Sequence, residues 1–488
     1  MKTEYDIIIL GAGLGGLGLG VQLRAQSITD FLIVEKEQGP GGTWRDNIYP
    51  GAACDTESHL YCYSFELHKD VSRLYARQPE LLRYAERLVD RHGLGPHIAY
   101  GQEITAARWD EQALRWVISL ADGGEIRARV FVAAWGQLNR PQIPAVPGRE
   151  RFSGTQFHSA RWPAQMDFGH KRVASIGNAA SAIQYIPEIA PLAGHLTVFQ
   201  RSPNWIVPRG DRPYTDEELR LFTQDDTAFA DNKAELFAWR ETTFMRMREG
   251  SDEAREIEAQ ARDHLSTQVA DPGLRAKLLP DFPLGCKRVL RSDDYYPTLC
   301  RDNVDLVTDP IDHIVEDGIV TRDGTLHSFD IIIWGTGFET QSFQGPVDVH
   351  GVADQSLRDA WSVGARAYKG MTVAGFPNFF LIYGPNTNLG HNSILSMFEA
   401  QFGYITQAVR IALMEGIALD VRRDVMDRYD AELQEEMNGS AWVGDCTSWY
   451  KNADGRVVNN WSGPVQAYRD LTKLFDRDAY RVMASTAA

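Results

Sequence analysis

Cysteine is scarce and scattered in this chain. Cys54, Cys62, Cys286, Cys300 and Cys446 are an odd number among 488 residues, and no two form a C-x-x-C pair. That spacing excludes zinc ribbons and dithiol reductases, and five reduced thiols are expected, with no metal site. Long apolar runs are missing as well. The longest uncharged apolar run, residues 7–21, is fifteen residues of which six are glycine, whereas a membrane span needs about 20 apolar residues. Where a secretory leader would carry basic residues, Glu4 and Asp6 run straight into a strand-like segment, so a cytoplasmic location is expected. Positive charge is in deficit: 50 Lys and Arg against 66 Asp and Glu leave a net charge of −16. Such a surface repels phosphate backbones and anionic lipid, which argues against nucleic-acid partners. What remains is an ordinary globular composition, 43% hydrophobic and 10% aromatic, in a chain long enough for roughly two to four domains.

Against that background two segments stand out. Asp6-Ile-Ile-Ile-Leu10 is followed by Gly11-Ala-Gly13-Leu-Gly-Gly16, a helical stretch to about Ser27 and a second apolar run, Phe31-Leu-Ile-Val34, ending at Glu35. Strand, glycine turn, helix and strand in this order make a dinucleotide-binding unit. Gly11 permits the turn, Gly13 lets a pyrophosphate approach the helix N-terminus, and Gly16 lets helix and strand pack closely. Glu35 stands where a carboxylate accepts from a ribose diol.

A second copy follows: Arg172-Val-Ala-Ser-Ile176, Gly177-Asn178-Ala179-Ala-Ser181-Ala182, a helix to about Ile189, then Leu196-Thr-Val-Phe199 reaching Gln200 and Arg201. Gly11 to Glu35 and Gly177 to Arg201 are the same distance along the chain. The second unit therefore carries a cation where the first carries an anion. A carboxylate suits a bare 2′-hydroxyl, as in FAD or NAD, and an arginine suits a 2′-phosphate, so FAD is expected in the first unit and NADPH in the second. Ala179 and Ala182 replace the second and third glycines, so cofactor contact there is expected to be looser.

The proline-rich segment Asn139 to Pro147 reads as a stiff linker. Residues 214–271 hold no proline except beyond their ends and are rich in helix formers, with a capping box at Thr215 and Glu218 and a break at Gly250-Ser251-Asp252. Asp330-Ile-Ile-Ile-Trp-Gly335-Thr-Gly337 repeats the strand-then-glycine pattern and is expected to return the chain to the first unit. The fold expected is α/β, with two Rossmann-like dinucleotide-binding domains and a helical insertion. Residues 1–145 and 336–488 form the FAD domain, and 146–335 the NADP domain, with the insertion at about 212–285.

Phe152-Ser-Gly154-Thr-Gln-Phe-His158-Ser-Ala-Arg-Trp162-Pro163 resembles the F-x-G-x-x-x-H-x-x-x-W-P fingerprint of type I Baeyer-Villiger monooxygenases. Gly41-Gly42-Thr43-Trp44, Tyr49-Pro-Gly51 to Asp55, Gln200-Arg-Ser202-Pro203, Lys287-Arg288 and Gly384-Pro-Asn-Thr387 agree with it. The resemblance implies a flavoprotein of class B that holds FAD and NADPH and inserts one oxygen atom of O2 beside a ketone carbonyl, giving an ester or lactone through a C4a-peroxyflavin. It also implies that Arg288 stabilises the anionic peroxide and that Asp55 orients Arg288.

General chemistry agrees on the need. A reactive anion in a water-poor site calls for a preorganised cation, and arginine keeps its proton at any working pH. Adjacent residues on an extended segment face opposite ways, so Lys287 is assigned with Arg201 and Ser202 to the 2′-phosphate. Thr43, Trp44 and Tyr61 are expected to wall the flavin, and the backbone of Ile104 to meet adenine. His158 and Trp162 are expected to couple NADPH binding to domain geometry, and His391 to be a satisfied loop histidine. The substrate class is a small ketone, with O2 as co-substrate. Two alternatives stay open: an enzyme of the same architecture oxidising nitrogen or sulfur, and an FAD- and NADP-binding sensor without turnover. Neither the ketone nor the oligomeric state is legible.

Overall fold

The computed structural model describes residues 2–340, 343–444 and 448–484. Its core is two sheets, one mixed and one wholly parallel, each built around one of the two glycine motifs. In the first, the strand Glu4–Leu10 lies between Phe31–Glu35 and Glu125–Ala133, parallel to both. Phe31–Glu35 is buried throughout and the C-terminal halves of the other two strands are apolar and largely buried, as strands covered by helices on both faces must be. The helix Leu14–Ala25 makes the crossover. Arg115–Leu120 and Ile104–Asp110 continue the sheet as an antiparallel meander.

The second sheet has five strands, all parallel, in the order Val304–Val307, His195–Phe199, Arg172–Ile176, Ile331–Trp334 and Thr155–His158. The helix Ala182–Ile189 is its first crossover. Here one expectation is corrected. The run at Asp330 does not itself return the chain to the first unit, because Ile331–Trp334 fills the gap between two strands of the second sheet. An apolar run ending in glycine fits either parallel sheet, and only the available neighbours decide. The chain comes back later, where Asp348–His350 and Phe379–Leu381 join the first sheet.

The charged stretch between the sheets is helical. Asp216–Gln224 opens on the expected reciprocal cap of Thr215 and Glu218, and Asp252–Gln268 opens on a Ser251 cap. Asp226–Thr242 and Pro272–Leu278 complete the insertion. Arg240 at its centre reaches into the first unit, where Nε donates to Glu57 at 2.8 Å, with only 9% and 3% of the two side chains exposed.

The cysteines bring a second correction. Cys286 is disulfide-bonded, whereas Cys54, Cys62 and Cys300 are free, and Cys446 lies outside the described residues. Sequence spacing says nothing about which Cβ atoms meet in space, and that geometry alone decides bonding. No helix among the described residues is long and apolar enough to cross a membrane.

Candidate active site

Both glycine turns end their central strands at one cavity of about 1150 Å³ that lies between the two sheets. Gly11 and Gly177 adopt φ of +100° and +109°, and a Cβ on either would strike a backbone carbonyl, that of Ala134 at 2.7 Å or Gly335 at 2.3 Å. Gly16 lies behind the turn and not on the cavity wall. A Cβ there would sit 1.9 Å from the Gly11 carbonyl oxygen, so its absence is what lets the helix start so close to the strand.

On the first unit's side, Gly13 and Gly42 face each other. A Cβ on Gly13 would meet nothing nearer than the Gly42 Cα at 3.9 Å, which leaves a bare backbone cradle at the helix N-terminus. Glu35 is aimed by its neighbours: its carboxylate accepts from the Ala12 amide at 2.8 Å and the Glu37 amide at 3.0 Å, and Arg45 lies 3.3 Å away. Thr43 and Trp44 begin a short helix, and the Trp44 indole donates to the Tyr61 hydroxyl at 3.2 Å with the rings edge to face. Ile104, the first residue of its strand, reaches the same cavity.

On the second unit's side, Asn178, Ala179 and Ser181 follow Gly177 along the wall. Asn178 Nδ2 donates to Gln200 Oε1 at 2.8 Å and the Ser202 carbonyl at 3.0 Å, tying the turn to the strand end. Ala179 is exposed toward the opening, whereas Ala182 is packed in the core. Lys287 Nζ donates to Ser202 Oγ at 2.8 Å and lies over the Phe282 ring. Burial, and then the repulsion of Arg201, hold the Lys287 ammonium below its ordinary range. Two cations and a hydroxyl thus converge on one spot, where the Asp281 charge offsets only part of the effect on Lys287.

Arg288 turns the other way. Its Nε and Nη2 donate to Asp55 Oδ2 at 2.9 and 2.6 Å. About a third of each side chain is exposed, and what they face is the cavity, since both line it deep in the molecule. Asp55 raises Arg288 further above its ordinary value against the opposing effect of burial. Burial pushes the Asp55 carboxyl up, but Arg288, helped by Arg240 and Arg291, holds it below the usual range. The pair is therefore fully ionised. Cys54, next to it, is pushed up to about 12 by burial and the Asp55 charge and is no nucleophile at neutral pH.

Residues 8–236 match the family model of pyridine nucleotide-disulphide oxidoreductases. A Baeyer-Villiger monooxygenase of Pseudomonas aeruginosa is 39% identical over 485 residues, 99% of this chain and 92% of that one. Among solved structures, cyclohexanone monooxygenase in its closed form superposes with a TM-score of 0.89 at 28% identity, covering 99% of this chain and all of the other. The OTEMO complex with FAD and NADP does so at 0.88 and 27%, covering 98% and 99%. The chain belongs to the Baeyer-Villiger monooxygenase family.

The residues matching the family fingerprint stand behind the cavity, not in it. Phe152 packs beneath the second sheet, and a Cβ on Gly154 would strike the Asp330 carbonyl at 2.5 Å. His158 is 3% exposed, donates from Nε2 to the Gly337 carbonyl at 2.9 Å and accepts at Nδ1 from the Ala160 amide. Burial lowers its basicity and both nitrogens are engaged, so it is not placed to act as a base. Trp162 touches Tyr185 of the second unit and Tyr49 of the first. His391 meets Glu241 at 3.3 Å in a buried loop.

Sequence reasoning missed the residues that join the units. Gln184 accepts from the Tyr49 hydroxyl at 3.0 Å and donates to the Ala53 carbonyl at 3.0 Å. Arg209 donates to the Cys54 carbonyl at 2.9 Å and lies over the Tyr75 ring. No local motif marks them, because each acts across more than a hundred residues of chain. Arg45 was legible in principle, as a cation beside the tryptophan of a recognised segment.

Proposed function

We propose that this family member holds FAD along its first unit and NADPH along its second, and inserts one oxygen atom of O2 next to a ketone carbonyl to yield an ester or lactone. The chain's own residues fit both groups. The bare cradle of Gly13 and Gly42 and the Glu35 carboxylate suit the pyrophosphate and ribose of FAD. Arg201, Lys287 and Ser202 suit a 2′-phosphate, which would balance the two cations. The reading assigns residues 1–145 and 336–488 to the flavin unit and 146–335 to the NADP unit.

Bound FAD supplies the redox ring that takes hydride from NADPH and activates O2. Everything else falls to side chains. Thr43, Trp44 and Tyr61 line the cavity and would wall the flavin ring and keep water from it. Arg288 presents a permanent positive charge to that space, and Asp55 holds the guanidinium in one orientation through two hydrogen bonds to a single oxygen. A cation fixed in a site of low dielectric stabilises negative charge that develops during attack on a carbonyl, without reorganising as it does so.

The single observation that carries this reading is the ionised Asp55–Arg288 pair opening on the shared cavity. Oxidation of nitrogen or sulfur by a neutral hydroperoxide has less use for such a charge, and a non-catalytic sensor has none. The test is Arg288→Ala in the FAD-loaded enzyme, supplied with NADPH, O2 and a panel of cyclic, linear and aryl ketones. Ester formation should fall by about 100- to 1000-fold, while NADPH consumption continues and hydrogen peroxide accumulates. Ester made at the normal rate rejects the role of Arg288.

A further inference from the structure

A smaller cavity of about 50 Å³ adjoins the large one. Asp55, Thr56, Arg288 and Asn392 line both, so the Asp55–Arg288 pair stands in the wall between them. The charged lining of the small cavity is lopsided: Arg240, Arg246, Arg288 and Arg291 face one carboxylate, Asp55. Two of these cations are accounted for. Arg288 is paired with Asp55, and Arg240 with Glu57.

Arg246 and Arg291 are not. Both line the cavity half-buried, and among the described residues no carboxylate lies within ion-pair distance of either. They come from opposite sides. Arg246 sits in the turn Thr243–Met247 of the insertion, and Arg291 on the short strand Leu290–Arg291 that pairs with Ile206–Val207. Burial and the repulsion of Arg291 and Arg240 lower the Arg246 guanidinium below its ordinary value, with distant Glu256 and Glu253 offsetting part of the effect. Val207, Met247, Ile257 and Leu284 supply apolar walls, which strengthen any charge interaction inside. Two confined cations without a counter-ion are costly to maintain.

Size narrows the ligand. At about 10–15 Å³ for each water-sized position, the space holds about four heavy atoms, enough for a carboxylate and its methylene and too little for a ketone ring. The 2′-phosphate residues Arg201 and Lys287 line only the large cavity, so the small one is not where that phosphate would sit.

We propose that Arg246 and Arg291 anchor the carboxylate of a keto-acid substrate whose ketone reaches past the cavity wall to Arg288. This rests on the ketone reaction proposed above and names its substrate class. The test uses the FAD-loaded enzyme with levulinate and its longer-chain homologues, each compared with its own methyl ester. At the best chain length kcat/KM for the acid should exceed that for the ester by about tenfold or more, the value of a charged hydrogen bond. In the double variant Arg246→Gln, Arg291→Gln the acid-to-ester ratio should fall to near one, and Arg246→Lys alone should keep part of it. Both Gln substitutions remove mutually repelling charges, and the flavin content of the variants checks that they fold.

Esters converted as well as acids at every length, or a preference that survives in the double variant, overturn the anchor and leave the ketone reaction standing. Should neither acids nor esters be converted, the ketone panel above decides whether the ketone reaction stands, and binding decides the anchor. Saturable thermal stabilisation by hexanoate, absent with hexanamide and in the double variant, supports it. No stabilisation by hexanoate overturns it.

Discussion

Arg288 and Lys287 are neighbours in sequence with opposite duties, and the divergence of their side chains is the residue-scale fact on which the site turns. One leans on Asp55, the other on Ser202. Arg201, exposed, stands close enough to Lys287 to repel it and belongs to the proposed phosphate pocket. Arg201→Ala is expected to raise the KM for NADPH about tenfold or more, by loss of a charged hydrogen bond, and to leave the KM for NADH almost unchanged. Steady-state kinetics with the two coenzymes measure this, and equal changes for both would remove Arg201 from the pocket. Asp55 makes a pH prediction. Its folded-state pKa is depressed, so its pairing contributes stability that is fully present above the unfolded value of about 4. That stability is lost as pH falls through the lower folded value. The difference in melting temperature between wild type and Asp55→Asn should therefore be constant from about pH 5 to 8 and shrink below about pH 4. A difference that already varies around neutrality would mean that Asp55 is not held in its ionised form.

At the scale of elements, the insertion is more than a solvated helical face. Its long helix Asp226–Thr242 sends Arg240 into the first unit, where Glu57 takes Nε and Nη2 and the Asp55 carbonyl takes a further bond from Nη2. The same contact fixes the floor under Asp55. Breaking a buried pair by removing one charge strands the other, at a cost of about 3–5 kcal/mol. Glu57→Gln keeps the shape and removes the charge. It should lower the unfolding free energy by about 3 kcal/mol and expose residues 216–278 to limited proteolysis. Chemical denaturation of the flavin-loaded protein measures the first effect, and unchanged stability would show that Arg240 finds another partner. The elements themselves were largely legible. Both strand–glycine–helix units, the Thr215 cap and the Ser251 break follow from local pattern, because those interactions close within a few residues. The sheet that receives Ile331–Trp334 was not, since a parallel strand carries no mark of its neighbours.

For the whole molecule, the question is how the two nucleotide units keep one cavity between them. Gln184 is the bridge: it stands on the first crossover helix of the second unit and bonds Tyr49 and Ala53 of the first, beside Trp162 and Tyr185. Gln184→Ala should leave flavin content intact and slow reduction by NADPH about tenfold, as positioning is lost. Stopped-flow reduction at saturating NADPH reports it, and a normal rate would remove the bridge from the coupling. By itself the sequence pointed to two dinucleotide units, to an anion at the strand end of one and a cation at that of the other, and to Arg288 and Asp55 as candidates for the chemistry. Those properties rest on short motifs whose geometry is local, and on a family resemblance that spans the chain. Tertiary structure brings Asp55 to Arg288, as the resemblance implied, and alone decided that Gln184 joins the units, that Cys286 is not a free thiol, and that four arginines line one small cavity. These depend on side chains brought together from distant segments, and the energy of such meetings is set by burial and distance, neither of which is written in local order.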